Sequence, residues 1–462
     1  MKLLKASFLL AAAVTTSQLD AIDYLATWSL SNGNTVKATI GVDPLLFNTS
    51  GFNYWSSSTP TAWLTKLDLV IQNPTNTVVA SYTNATVNSF FWVPTGFDFS
   101  TARTNFAFGN IGISANQYSL YAGMGSFMSA YGIYSGSPFT FDYFGPAFSG
   151  VTDVVTWMSS INGQNRISAT GSTLAGLPLE GAHHRPMLSF DRMGKESQAW
   201  ATGDFGSTSR TRDVHVTSGE AGINWNVGKT MLFGIAAGHA VQNADLDLGG
   251  SSATKGDFFI AELDYRPEGT QWIVSLLGMV GSWESKTNRG YTNGPSIDFS
   301  NGVADTITRS ARLRVDAPAV ATFGGFGFAP FASYTVTQTV VGAYTETGGG
   351  FPASFDEQEH NATEARLGVT ASKDLSATTK LLLSVEGIHR FDGVGPSLTG
   401  QDVTGGVSFD LPGTAPRPDC VRFGFDVDHK LSADTLLNIS AHVSTVGEAH
   451  DVSAAISIRR AF

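Results

Sequence analysis

From about residue 199 to the carboxyl end, apolar and polar residues alternate one by one in a series of short runs. In 220–227 the apolar set is Ala221, Ile223, Trp225 and Val227, with Glu220, Gly222, Asn224 and Asn226 between them. Residues 364–372 interleave Ala365, Leu367, Val369 and Ala371 with Glu364, Arg366, Gly368, Thr370 and Ser372. The runs 422–428 and 437–444 repeat the pattern with Phe423, Phe425, Val427 and with Leu437, Ile439, Ala441, Val443. A period of two puts each set on one face of a β-strand. The second face is small or charged, as suits a strand with hydrocarbon on one side and a wet lumen on the other. Soluble sandwiches also alternate, so the decision falls to the connections.

Twelve strands are predicted, near 199–207, 219–227, 231–243, 257–266, 272–284, 306–316, 328–340, 364–372, 379–389, 421–430, 435–444 and 451–462. Connections after even strands are short, such as 228–230 and 431–434. Those after odd strands are mostly long: 208–218, 244–256, 285–305, 341–363 and 390–420. Tight turns at one end and long loops at the other mark a closed outer-membrane barrel, with the turns in the periplasm. Trp200, Trp225, Tyr265, Trp272 and Phe462 fall at strand ends on the short-turn side and are expected to form an interfacial girdle. Arg312, Arg314, Glu386, Asp426, Asp428 and His442 are expected to face the lumen, packing the barrel interior or lining a pore.

The chain upstream is different. Residues 22–165 hold six acids (Asp23, Asp43, Asp68, Asp98, Asp142, Asp153) and three bases (Lys37, Lys66, Arg103), whereas 187–462 hold 31 acids and 21 bases. The first segment also holds half of the aromatics. Asn73-Pro74-Thr75-Asn76 separates the strand-like runs 62–71 and 77–81, and Asn32-Gly33-Asn34 separates two more. The expectation is a small β-sandwich-like domain whose aromatics, among them Tyr54-Trp55 and Phe90-Phe91-Trp92, pack its core. Residues 166–197, rich in Gly, Ser and Thr, read as a linker or lumen segment ahead of a barrel at 198–462. Residues 1–21 read as a secretory signal peptide, with Lys2 and Lys5 before the apolar stretch 6–14. That stretch is too short to span a bilayer as a helix.

Charge and chemistry narrow the function by exclusion. The formal charge is −11 and no Lys/Arg run occurs, which argues against a nucleic-acid partner. Cys420 is the single cysteine, so no Cys-based metal framework or intrachain disulfide can form. All nine histidines lie beyond residue 165, so the first domain cannot assemble a Ser-His-Asp triad or a His-ligated zinc site from its own residues. His183-His184 reads as a solvated pair, and Asp245 and Asp247 as part of an acidic outer loop. No catalytic residue, metal or cofactor is expected.

The last 275 or so residues resemble the translocator β-domain of bacterial autotransporters, the type V secretion proteins. The resemblance rests on the signal peptide, the upstream passenger-like segment, a barrel opening as Ala199-Trp200-Ala201-Thr202-Gly203-Asp204-Phe205-Gly206, and the terminal strand 452–462 ending in Phe462. Within that strand Val452, Ala454, Ile456, Ile458 and Phe462 are similar to the signal that barrel assembly machinery reads. The resemblance implies an outer-membrane protein of Gram-negative bacteria, its barrel inserted in the lipid bilayer. It further implies that the barrel anchors or exports a non-enzymatic N-terminal passenger to the cell surface, where it would meet an extracellular surface or matrix ligand. The alternative is a porin-like or structural barrel with a periplasmic N-terminal domain. Two departures from the family pattern stand out: Arg460 at the third place from the end, and Gly171, Gly176, Pro178, Gly181 and Pro186, which are expected to break the helix that usually threads the lumen.

Overall fold

The computed structural model describes residues 21–29, 35–47, 53–56, 60–83, 87–93, 110–115, 118–122, 140–143, 150–162, 166–180 and 197–462 apart from 209–213, 294–295, 393–394, 404–406, 414–417 and 446–449. The expected signal peptide, apart from Ala21, and His183-His184 lie outside the described residues. The chain divides into two units, Met1–Val154 and Val155–Phe462. Residues 155–165, expected with the first segment, therefore go with the barrel.

The first unit contains two five-stranded sheets. One runs in the order Gly150–Asp153, Ile22–Ser29, Thr35–Val42, Leu64–Gln72, Val78–Thr83, so the last strand of the unit pairs with its first. Tyr24, Ile40, Val42, Leu67, Leu69 and Ile71 are buried in it. The 73–76 turn forms as expected: the Asn73 side-chain oxygen accepts from the backbone N–H of Thr75 and Thr77 at 3.1 and 2.9 Å. The second sheet carries Asn53–Ser56, Val87–Val93, Asn110–Ala115, Tyr118–Ala122 and Thr140–Tyr143, and thus the aromatic runs at 54–55 and 90–92. In the first sheet, burial holds the Asp23 carboxyl above the usual carboxylate range, opposed by nearby Lys66 and reinforced by Asp68. A raised carboxyl pKa stabilises the fold below the unfolded value and is lost as pH rises through the folded one. Asp23→Asn is therefore expected to raise the thermal midpoint of this unit at neutral pH and to leave it unchanged below about pH 4, read by melts across pH.

In the second unit twelve antiparallel strands close into a barrel. They are β1 Ser197–Thr208, β2 Val214–Val227, β3 Met231–Asp245, β4 Ser251–Tyr265, β5 Ile273–Asn293, β6 Ser296–Asp316, β7 Phe326–Val341, β8 Gln358–Asp374, β9 Thr379–Arg390, β10 Asp419–Lys430, β11 Thr435–Ser444 and β12 Val452–Ala461. Each pairs with its sequence neighbours, and β12 returns to β1, with Ile456 opposite Gly203. Among the described residues every barrel strand has a neighbour on both sides, which is the condition for crossing a bilayer with strands. Burial is inverted relative to a soluble protein. Leu276, Leu313, Leu367, Phe423, Phe425, Ile439 and Ile456 are exposed on the outside, while Thr306, Thr308, Ser310, Arg312 and Asp426 are buried inside.

The outer connections differ from expectation. The described residues of 285–305, read as a loop, continue β5 and β6 as a hairpin of two 21-residue strands in which Asn293 pairs with Ser296. About ten residues suffice to cross a bilayer. Beyond it, water faces the outer side, so the apolar half of the alternation is no longer required and polar residues keep pairing as strand. The connections 209–213 and 246–250 are likewise shorter than expected. The two longest outer segments, 342–357 and 391–418, contribute Tyr344–Thr345, Ala353–Phe355, Leu398–Asp402 and Ser408–Leu411 to a four-stranded sheet of their own at the outer end.

Candidate functional site: a helix held in a charged lumen

Helix α1, Val154–Asn162, and helix α2, Arg166–Glu180, precede the barrel strands. Over 166–180 the sequence expectation of a broken segment is corrected; Gly181 and Pro186 lie outside the described residues. Gly171 and Gly176 lower helix propensity, but most helical stability in proteins comes from packing one apolar face. Leu174, Ala175, Leu177 and Leu179 are buried in one cluster with Trp200 of β1, Val216 of β2, Ala236 and Ala240 of β3, Phe258 and Ile260 of β4 and Leu277 and Trp283 of β5. Pro178 falls in the last turn, close to where the helix ends in any case.

The opposite wall is charged. The Glu180 carboxylate, at the end of α2, lies 3.7 Å from the Arg312 guanidinium and 3.8 Å from that of Arg366 and accepts from Thr335 Oγ1 at 3.3 Å. Arg312 also donates to the Leu179 carbonyl, and Arg422 Nη2 to the Glu180 carbonyl at 3.5 Å. Three arginines thus face the carboxyl end of the helix, where its unsatisfied carbonyls and dipole favour cations. Behind them, Arg366 donates to Glu364 at 2.6 Å and to Glu386 at 3.2 Å, Arg422 donates to Glu386, and Arg390 donates to Glu364 at 3.0 Å. Arg314 forks onto Asp316 at 2.8 and 2.9 Å and lies 4.1 Å from the Phe331 ring centre. A cavity of about 270 Å³ remains beside the polar face of α2, between Thr173, Gly176 and the Arg366–Arg422–His442 wall.

At the outer end α1 meets the four-stranded sheet. Trp157 and Ile161 are fully buried. The Trp157 indole donates to the Phe351 carbonyl at 3.0 Å, and its ring packs edge-on to Phe409 at 5.8 Å. Arg289, near the tip of the long β5–β6 hairpin, forks onto Glu346 at 2.9 and 2.6 Å and donates to Ser160 Oγ at 2.8 Å.

Of the residues expected to face the lumen, Arg312, Arg314, Glu386, Asp426 and Asp428 are buried, and His442 lines the cavity. Val452, Ala454, Ile456, Ile458 and Phe462 lie on the outer face of the last strand, with Arg460. Tyr265, Trp272 and Phe462 are exposed at the short-turn end, and Trp225 stacks on Phe233 there. Trp200 is a correction. It points inward, donates to Asn224 Oδ1 at 3.1 Å and packs in the lumenal cluster. It shares the inner face of β1 with Asp204, which has no place against lipid, so strand parity already opposed a girdle role. Sequence reading also left Arg366, Arg422, Glu180, Arg289 and Glu346 out of the site. For the first two a signal existed, an arginine within the polar half of an alternating strand; for the others, partners distant in sequence are decisive.

A closed twelve-stranded barrel with its apolar side chains outward is of the outer-membrane β-barrel class. The chain belongs to the family described as autotransporter beta-domain, whose sequence model matches residues 197–442. Among solved structures, the translocator domain of autotransporter NalP from Neisseria meningitidis is similar, with 11% identity, a TM-score of 0.50, and coverage of 65% of this chain and 97% of that one. The β-domain of the Bordetella autotransporter Brka aligns at 15% identity over 58% of this chain and 100% of its own, with a TM-score of 0.43. The transport unit of AIDA-I from Escherichia coli aligns at 9% identity over 65% and 99%, with a TM-score of 0.40. No curated protein matches the chain. The protein is an outer-membrane β-barrel of type V secretion, and the barrel itself is not an enzyme.

Proposed function

We propose that the barrel exports residues 22–153 and holds them at the cell surface as a non-enzymatic domain for contact with an extracellular surface or matrix. The observation that carries this reading is the direction of the chain in the lumen. The segment begins at the outer end, where α1 meets the loop sheet, descends through α2 to the arginines around Glu180, and resumes as β1 at the short-turn end. In this reading the residues upstream of α1 lie outside the cell. The absence of His and Cys from 22–165 supports a binding role over catalysis there. Filling of the lumen by α2 disfavours the porin-like alternative. In the same reading Val452, Ala454, Ile456, Ile458 and Phe462 present the strand that the barrel assembly machinery takes up, and Trp225, Tyr265, Trp272 and Phe462 mark the periplasmic interface with lipid.

Antibody against residues 22–153 is expected to label intact cells, and external protease is expected to remove the label. Protection of that segment until the outer membrane is permeabilised would overturn display and return the periplasmic alternative.

A further inference from the structure

The outer end holds a buried charged cluster for which translocation through an open barrel gives no reason. Arg289 is 1% exposed, and its side chain meets Glu346, whose own side chain is 0% exposed. Besides forking onto that carboxylate, the guanidinium donates to the Phe351 carbonyl at 3.0 Å and to Ser160 Oγ at 2.8 Å. Its central carbon lies 4.8 Å from the Tyr291 ring centre and 5.8 Å from that of Trp157. Glu346 also accepts from the Ala353 N–H at 2.9 Å, and Tyr291 Oη accepts from the Phe351 N–H at 3.0 Å. The Phe351 carbonyl therefore takes one hydrogen bond from the barrel, through Arg289, and one from α1, through Trp157. Phe409 completes the arrangement, packing at once against Trp157 and against Phe355 of the loop sheet.

Three parts of the chain far apart in sequence thus share one set of bonds: α1, the β5–β6 hairpin and the loop 342–357. A buried ion pair costs desolvation and is retained where every donor and acceptor finds a partner. Here two of the partners, Ser160 Oγ and the Trp157 ring, come from the segment upstream of the barrel. Without them the guanidinium loses a hydrogen bond and part of its cover from water. While polypeptide is passing outward, neither is yet in place, so the same loops lack the contacts that draw them together.

We propose that Arg289, Glu346 and the loop sheet form a catch that closes on Trp157–Ile161 when that segment reaches the outer end, fixing the point at which export stops and holding the exported domain. This rests on the display reading above. Arg289 acts as a positioning residue: it binds α1 through Ser160 and orders the loop through Glu346 and Phe351.

The test uses the full-length protein, in detergent and in cells. Hydrogen exchange is followed in 154–162 and in 344–355 for the parent, Ser160→Ala and Trp157→Ala, with unheated gel migration as the check that the barrel is folded. Ser160→Ala is expected to raise exchange in both segments together by roughly tenfold, the scale of one hydrogen bond to a charged group, and Trp157→Ala by more. Arg289→Lys, which keeps the charge and loses the fork, is expected to loosen both segments as well. Faster exchange in 154–162 alone, with 344–355 unchanged, would overturn the catch and leave α1 resting on a rigid cap. If cell labelling shows residues 22–153 outside but exchange is uncoupled, the catch fails and display stands. If exchange is coupled but the segment is periplasmic, display fails, and the catch loses its role in export.

Discussion

Glu386→Ala is expected to lower the temperature at which the folded band converts to the unfolded band on an unheated-versus-heated gel. Glu386 is 5% exposed and accepts from both Arg366 and Arg422. Removing one partner of a buried ion pair costs about 3–5 kcal/mol, because the remaining charge stays desolvated. The cost should fall near the lower figure. Arg366 keeps Glu364 at 2.6 Å and Arg422 keeps the Glu180 carbonyl at 3.5 Å, so neither guanidinium is stripped of its partners. Glu386→Gln keeps an acceptor and should cost less; both variants lack the charge, so the difference between them measures the hydrogen-bonding side chain and the step from parent to Gln measures the charge. Because Arg422 also caps α2, the alanine variant should loosen the helix, visible as faster exchange in 174–180. A conversion temperature equal to the parent's would show that the arginine wall is held by packing alone.

How legible this site was in the sequence depends on the range of the forces involved. Alternation is a local consequence of strand geometry, and it located every barrel strand because hydrocarbon enforces it on one face. The same enforcement stops at the bilayer edge, so the extension of β5 and β6 through Lys286, Asn288 and Arg289 looked like loop. Helix α2 was hidden for the complementary reason. Gly171, Gly176 and Pro178 argue against a helix by propensity, while the cluster around Trp200, Phe258 and Trp283 that overrides propensity is assembled from strands remote in sequence. Trp200 shows that residue type alone misleads at a strand end: a tryptophan suits an interface, but parity with Asp204 sets its direction. Arg289, Glu346 and Ser160 carry no local signal, since each is an ordinary polar residue until the hairpin, the loop and α1 meet.

The inside-out assignment of the barrel is tested most severely on its last strand. Ile456 is 56% exposed on the outer face, opposite Gly203 and Ile439, with Val452 toward the outer end and Ala461 toward the short-turn end. Arginine at the bilayer midplane costs about 2–4 kcal/mol, falling to about 0–1 near the interfaces. Ile456→Arg is expected to approach the larger value and to reduce the yield of folded barrel in lipid vesicles, whereas Ile456→Leu should be nearly silent. The chain carries its own control four residues on. Arg460 is also on the outer face, but at the edge, where a long side chain can keep its charge in water while its stem lies on apolar surface. Arg460→Leu should therefore change folding little, although it replaces the same residue type that is costly at 456. Arg459, between them in sequence, is buried on the opposite, inner face where carboxylates are plentiful. Depth and face together, rather than charge itself, set the cost, and equal folding yields for Ile456→Arg and Ile456→Leu would mean that this surface does not meet hydrocarbon.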